Sequence, residues 1–448
     1  MGTNSMKNRY IEYLSALKNP FKKLAKIEFL QPDNSVAFSL DNNYNRGYNT
    51  LHDSRAFIQS GSLNVSLQNG QRRTATVTLA NIDNAYDYSI NKIWFGQRIR
   101  LSMGLILPDG TDFYLPQGVF YVNAPNNVYS PSERTVTLNL VDKWSYLDGS
   151  LFGNLENTYQ IPATDGAGTS TNTNIFSAMS SILKLSRIDF SNNATPELQI
   201  DNVAPVFTSY YNGKTYQIDD SGTTAPMTDI PYDITVGSAD SGTFADVLLE
   251  LNTILAGWIG YDQTGTLRVE PSQDDIDDSN RAILWSFDPL EQNLCSISET
   301  FKDSEVYNDI IITGESLSDT EIYGRATNFD PKSDTNVNII GKKTYRENRA
   351  EYWNPQQCVD VAAWMLKRKT VLQKSISITS TQMFHLSENN LVTVRRTDKP
   401  GNPIERHIIQ SFSLPIAETG SMTIECTSVN DIPNFTYESS QTETESTT

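Results

Sequence analysis

Between residues 61 and 148 the chain alternates apolar and polar positions in four runs, and turn residues bound each run. The first two runs, 63–67 and 75–79, flank the dipeptide Asn69-Gly70. Two alternating runs around Asn-Gly predict a β-hairpin, because both residues tolerate the positive φ of the favoured turn. The other runs, near 99–103 and 136–140, continue the pattern. This segment therefore predicts an antiparallel meander that buries one face and curls into a barrel or sandwich.

The N-terminal residues predict a helix followed by a second hairpin. Residues 7–18 carry apolar side chains at helical spacing, and Pro20 limits the helix. Two short apolar runs, 26–30 and 36–40, flank the turn-forming residues 32–35.

The middle of the chain is less regular. Residues 164–174 are rich in Gly, Ser, Thr and Asn and predict a loop, whereas 175–185 are apolar at helical spacing. Residues 190–235 hold Pro and Asn breakers and no clear period. From Thr243, a predicted N-cap, a strongly amphipathic helix leads into a hairpin that ends near residue 271.

The last part of the chain predicts more strands with one helix among them. The predicted strands are 308–313, 375–379, 391–395, 408–414 and 421–427. The helix has Asn354 as its cap, Pro355 at its first position and Gln357 to complete a capping box. Its apolar face comprises Val359, Ala362, Ala363 and Leu366.

Together these elements predict a mainly β protein with a few helices (α+β) and several domains, two of them β-barrel-like and separated by smaller α/β modules. The predicted domains are an N-terminal helical arm (1–26), a first β-barrel-like domain (27–150), an irregular inserted module (151–235), a helix plus β-hairpin module (236–293), a second β-barrel-like domain (294–435) and a disordered tail (436–448).

Composition narrows the classes of function. At 448 residues the chain is too long for one core. Its net charge of −18 argues against coating nucleic acid, because phosphate binding needs Lys and Arg. The charge either aids solubility or keeps passing DNA from adhering. We expect no membrane span and no signal peptide, and the widely spaced cysteines predict neither a disulfide framework nor a metal site.

The sequence nominates no catalytic, cofactor or metal residue. His52, His385 and His407 share no motif, and no nucleophile elbow or P-loop is present; the run 166–171 lacks the necessary lysine. Cys358 is expected in a core.

Two weak candidates for ligand binding remain at this stage. The acidic run 274–278 and the triplet Asp334, Asn336 and Asn338 suggest Ca²⁺, but both miss the EF-hand pattern and favour solvated loops. The aromatic pairs Tyr352–Trp353 and Trp258–Tyr261 could stack on sugar but favour interior packing.

The order of these motifs carries a resemblance. The succession TATVTLANID, GQRIRLSMG, PQGVFYV and TVTLNLVDKWSYLDG resembles the first domain of phage tail baseplate-hub proteins, which are related to the base of type VI secretion spikes. The segment FADVLLELNTILAGWIGYDQTGTLRVEP (244–271) resembles the hub-family segment in which a helix leads into a strand, a D-x-x-G turn and a returning strand.

The resemblance implies a non-enzymatic structural protein of the virion tail tip, assembled in the host bacterial cytoplasm. It implies a homotrimer around a channel that passes DNA, in which two barrel-like domains per chain present six modules to a sixfold tube. The implied partners are a distal tail or tail tube protein, the tape-measure protein, and a spike, lysin or receptor-binding protein.

Two alternatives stay open: a tail-associated cell-wall hydrolase and a carbohydrate-binding adhesin. Because the chain ends soon after the second β domain, we expect no appended lytic domain.

Overall fold

The fold is described from a computed structural model of the chain. The structure describes residues 2–31, 34–42, 58–81, 86, 93–94, 96–130, 134–163, 174–186, 198–200, 215–217, 224–226, 228–230, 233–238, 241–255, 257–271, 282–289, 294–302, 306–314, 322–349, 352, 355–370, 373–416, 419–428 and 435–439.

Strands dominate the described part of the chain, which confirms the predicted mainly β class with a few helices. The helices are α1 (Gly2–Ala16), α2 (Ile175–Ser186), α3 (Phe244–Leu255), α4 (Val337–Ile340) and α5 (Pro355–Thr370), with a 3₁₀ turn at Lys143–Tyr146. The strands are β1 (Lys23–Leu30), β2 (Val36–Asp41), β3 (Ile58–Ser66), β4 (Arg73–Ala80), β5 (Arg98–Ile106), β6 (Asp112–Tyr129), β7 (Arg134–Asp142), β8 (Tyr159–Ile161), β9 (Leu198–Ile200), β10 (Thr215–Gln217), β11 (Thr224–Pro226), β12 (Ile234–Val236), β13 (Gly257–Tyr261), β14 (Leu267–Pro271), β15 (Ile283–Phe287), β16 (Leu294–Lys302), β17 (Asp309–Gly314), β18 (Ile322–Asn328), β19 (Thr344–Asn348), β20 (Gln373–Ser380), β21 (Leu391–Arg395), β22 (Ile404–Pro415), β23 (Met422–Ser428) and β24 (Phe435–Ser439).

The two β regions predicted as separate domains share one sheet. Its hydrogen-bonded order is β16-β20-β23-β22-β3-β4-β7-β6-β5-β1-β2, with β15 and β21 attached through β22, and the described strands do not close into a barrel. Strands β22 and β3 join the halves in antiparallel register, with Phe412 opposite Val65 and Leu414 opposite Leu63. The strands of the two predicted barrel-like units thus join in one continuous sheet, because β3 and β22 each satisfy an open backbone edge by pairing with the other.

Both predicted N-terminal hairpins are present. Strands β3 and β4 pair with Leu63 opposite Ala75, and β1 pairs with β2. Strand β3 ends at Ser66 and β4 begins at Arg73, so residues 67–72, which include Asn69-Gly70, connect the two strands. Gly70 does take a positive φ of 98°, yet its amide bonds to another part of the chain.

Residues 144–269 build a second core. Helices α2 and α3 and strands β13 and β14 bury their apolar faces together with Trp144 and Tyr146 from the end of the first β region. The structure also pairs β9 with β14 and β12 with β8. The modules predicted separately as 151–235 and 236–293 therefore pack around a common core in the described residues. The capping of α3 by Thr243 is confirmed, because its Oγ1 accepts from the Asp246 N–H at 3.1 Å and the Asp246 carboxylate accepts from the Thr243 N–H at 2.8 Å.

The predicted second β domain divides into two parts. Strands β16 and β20–β23 belong to the large sheet, whereas β19, β17, β18 and β24 form a separate four-stranded sheet. Helix α5 starts at Pro355 as predicted, and Cys358, Ala362 and Leu366 bury its apolar face against this sheet.

Strand β24 corrects the predicted tail. Phe435 pairs with Asn328 and Ser439 with Gly324. The prediction that the chain is disordered from residue 436 is therefore wrong for residues 436–439. The edge of β18 supplies backbone hydrogen-bond partners that the composition of the segment does not reveal. Residues 440–448 lie outside the described part of the chain.

The predicted helical arm is shorter than expected and is packed into the protein. Helix α1 ends at Ala16, and β1 already begins at Lys23. Tyr13 and Leu17 are buried in the core of the large sheet.

Candidate functional site

A buried cluster of charges lies where the parts of the chain meet. We call Arg72, Arg73, Glu270 and Glu388 the charged junction; their side chains are almost fully buried. Arg73 Nη2 donates to the Glu388 carboxylate and, at 2.6 Å, to Ser387 Oγ. Arg73 Nη1 donates to the Gln117 carbonyl at 3.0 Å. Arg72 Nη1 lies 3.6 Å from Glu270 and 3.7 Å from Glu388, so the two cations face two carboxylates.

The backbone of the two arginines is held by one further carboxylate. Asp142 accepts hydrogen bonds from the N–H groups of Arg72 at 2.8 Å and Arg73 at 2.9 Å, and from Trp144 N–H at 3.1 Å. Burial raises the pKa of Asp142 to about 7, although these backbone donors act in the opposite direction. Asp142 thus anchors the start of β4 to the end of β7.

The helix–hairpin region is attached at the same place. Gly70 N–H donates to the Ile259 carbonyl at 2.9 Å, and Ile259 N–H donates to Asn69 Oδ1 at 2.9 Å. At Gly260 an added Cβ would lie 2.3 Å from Arg72 Nε, so any larger residue would clash with the Arg72 side chain. Asn389 donates to Glu270 at 2.8 Å. The charged junction therefore fixes three regions of the chain against one another.

The N-terminal helix is held to the C-terminal strands by a second buried contact. Phe384 N–H donates to the Tyr13 hydroxyl oxygen at 2.9 Å, which leaves the hydroxyl proton for His385 Nδ1 at 3.0 Å. Burial raises the pKa of Tyr13 and lowers the pKa of His385 to about 4. Tyr10 and Trp285 contact the imidazole edge-on.

A third feature is a surface loop closed by one asparagine. We call residues 329–343 the clamped loop. Buried Asn308 donates its backbone N–H to the Lys343 carbonyl and accepts from Asn328 N–H. Its side-chain amide donates to the carbonyls of Thr335 at 3.1 Å and Gly341 at 2.7 Å. The side-chain oxygen accepts from Lys343 N–H at 2.7 Å. Such compact loops with joined ends are frequently functional.

The sequence triplet proposed as a weak Ca²⁺ site lies in the clamped loop and serves its structure. Asn336 caps α4 by accepting from Asn338 N–H at 2.8 Å, and its amide donates to the Asp330 carbonyl at 2.7 Å. Asp334 is exposed. Within the described residues no group of three or more His, Cys, Asp or Glu side chains could hold a metal ion. The acidic run 274–278 lies outside the described residues.

The other residues singled out by the sequence are dispersed. His407 is buried near Glu405, with Nε2 3.5 Å from the carboxylate, and His52 lies outside the described residues. Cys358 is buried in the core as predicted, and burial raises its pKa to about 12. Burial also raises the pKa of Cys426. The side chain of Cys295 lies outside the description.

The aromatic pairs considered for sugar stacking were expected to pack in the interior, and their described members are buried or half-buried. Tyr261 and Tyr352 are buried, and Trp258 is half-buried. Trp353 and the run 166–171 lie outside the described residues.

An open cavity of about 460 Å³ lies between the β3–β4 hairpin and strands β22 and β23. Eight of the twelve described residues that line it carry a hydroxyl or amide group, among them Asn64, Ser66, Thr74 and Ser413. Glu425 is the sole carboxylate among the described residues that line it. Glycoside hydrolysis normally requires two carboxyl groups, so this cavity lacks the pair that such chemistry uses.

Sequence reasoning missed both the charged junction and the clamped loop. The adjacent arginines 72 and 73 at the start of β4 were a possible signal, because two charges where a buried strand begins need partners. Glu270 and Glu388 carry no local sign of that role. In the described part of the chain, no helix is long and apolar enough to cross a membrane.

No protein-family model and no curated protein match the sequence, but solved structures do. The 43 kDa tail protein of prophage MuSo2 from Shewanella oneidensis is similar with a TM-score of 0.53 and 12% identity; the match covers 90% of this chain and 98% of that chain. A tail protein from Neisseria meningitidis MC58 is similar with a TM-score of 0.56 and 8% identity, over 92% and 98% of the two chains. The resemblance inferred from the sequence is thus confirmed in the fold: the chain has the fold of these phage tail proteins.

Proposed function

We propose that the chain is a structural component of a bacteriophage tail tip, a baseplate hub that forms a homotrimeric ring and closes the tail tube. The observation that carries this proposal is the fold shared with two phage tail proteins over at least nine-tenths of the chain. The charged junction supports it, because buried ion pairs that hold regions together suit a rigid assembly part.

The proposed ring binds a distal tail or tail tube protein on one side, and a spike, lysin or receptor-binding protein on the other. It contacts the tape-measure protein before ejection and passes DNA without specific binding. The net charge of −18 supports passage, since an acidic lumen repels phosphate. The role is non-enzymatic and is located in the virion tail tip, after assembly in the host bacterial cytoplasm.

The mass in solution tests the assembly state. We expect light scattering over a concentration series to give three times the 50.2 kDa of the chain. A monomer at every concentration would count against the ring. A map of the assembled tail tip then tests location and lumen charge; a lumen lined by basic side chains would contradict the proposed role in DNA passage.

A further inference from the structure

The clamped loop exposes apolar side chains on a rigid support. Ile339 is 63% exposed and Ile340 is 41% exposed, although α4, which carries them, is capped by Asn336. The neighbouring Asp309 is fully buried and reinforces the base of the loop. Its carboxylate accepts from Arg325 Nε at 2.8 Å and from Thr344 Oγ1 at 2.6 Å. Two isoleucines held outward at a fixed place lose little conformational freedom when a partner covers them.

The charge of this region is opposite to that of the rest of the chain. Residues 329–346 contain four basic and two acidic residues, a net charge of +2. Because the whole chain carries −18, the remainder carries −20. The basic residues Lys332, Lys342, Lys343 and Arg346 are all exposed, and Lys342 Nζ lies 3.6 Å from the Asp309 carboxylate. An apolar tip with a basic rim is complementary to an acidic surface, and the nearest source of such a surface is this chain itself.

We propose that the clamped loop is an interface between copies of this chain: Ile339 and Ile340 pack against a neighbouring copy, and Lys332 and Lys343 pair with carboxylates of its acidic surface. A contact between two different patches is heterologous, and repeated contacts of this kind generate a ring when the rotation closes. The inference rests on the proposed homotrimer and names the element that joins its subunits.

The test compares a double variant of the loop with a control variant at another exposed isoleucine. The double variant I339S/I340S removes the apolar tip, and the control I404S alters an isoleucine of β22 that is 54% exposed and lies outside the loop. Because association would remove the exposed apolar surface of both isoleucines from water, we expect self-association of the double variant to weaken by at least about 100-fold. The I404S control should associate as the unaltered protein does. Circular dichroism checks that both variants remain folded.

The outcomes separate the inference from the proposed function. If the unaltered protein is a trimer and the double variant stays equally trimeric, the inference is overturned, the ring stands, and the loop faces a different component. Equal weakening in both variants also overturns it. A protein that is monomeric throughout overturns the ring and the inference together.

A cross-linking experiment identifies the acceptor. Isotope-labelled and unlabelled protein are mixed, and carbodiimide joins lysines to nearby carboxylates. We expect cross-links from Lys332 or Lys343 between labelled and unlabelled chains. Cross-links confined to single chains would contradict docking on a neighbouring copy.

Discussion

Arg73 and Glu388 form a buried ion pair although they stand 315 positions apart in the chain. Their side chains are only 1% and 3% exposed. Because Arg73 begins a strand of the N-terminal half and Glu388 precedes a strand of the C-terminal half, this pair joins the two halves of the large sheet. It supplements the β3–β22 pairing, which joins the same halves through the backbone.

Breaking this pair should be costly. We expect Arg73→Met to lower the free energy of unfolding by about 3–5 kcal/mol, because Glu388 would remain buried without its closest cation. Urea denaturation followed by tryptophan fluorescence measures the change. The control Lys26→Met removes a partly exposed partner of Glu28 and should cost less than about 1 kcal/mol. Similar losses in both variants would contradict the importance of the junction.

Asp142 should stabilise the junction through its acceptor oxygens. In Asp142→Asn the amide nitrogen cannot accept from the backbone N–H groups of Arg72 and Arg73. We expect a loss of about 1–3 kcal/mol, the cost of leaving buried donors unsatisfied. Asp148→Asn is the matched control, since Asp148 accepts from Ser150 N–H at an exposed turn and should change stability by less than about 0.5 kcal/mol.

Acid should weaken the attachment of α1 through His385. Burial lowers its pKa from 6.5 to about 4, so the unfolded chain takes up the proton first. This contribution to stability is complete above pH 6.5 and is lost as the pH falls toward 4. It amounts to at most on the order of 3 kcal/mol.

The variant His385→Gln isolates that contribution. We expect its thermal midpoint to fall less between pH 6.5 and pH 4 than that of the unaltered protein. The variant must be compared with the unaltered protein, because Asp142 also affects stability in this range. Its pKa is raised to about 7, so its contribution to stability increases as the pH falls. Tyr13→Phe keeps the imidazole and should retain the steeper fall; equal slopes for all three proteins would show that His385 does not titrate in this window.

Asn308 should determine the order of the clamped loop. We expect Asn308→Ala to increase hydrogen exchange in residues 329–343 by at least about tenfold, because three side-chain hydrogen bonds worth about 1 kcal/mol each are lost. Asn338→Ala alters an exposed residue of the same loop and is the control. Unchanged exchange in Asn308→Ala would show that the loop does not depend on the clamp.

Local pattern was enough to predict most individual elements. Alternation around Asn69-Gly70 predicted β3 and β4, helical spacing predicted α2, and Thr243 and Pro355 marked the starts of α3 and α5. These signals are local because strand and helix periodicities arise from residues only a few positions apart. The motif order also predicted the fold that the solved tail proteins share with this chain.

The tertiary structure alone decided how those elements combine. An open strand edge looks the same in sequence whatever strand pairs with it, so the β3–β22 pairing and the capture of β24 by β18 could not be predicted. Likewise, Glu388 acquires its role only when folding removes water from it and places Arg73 beside it. The sequence by itself determined the local elements and the overall acidity. Their union into one sheet, the charged junction and the clamped loop depend on contacts between residues that folding brings together.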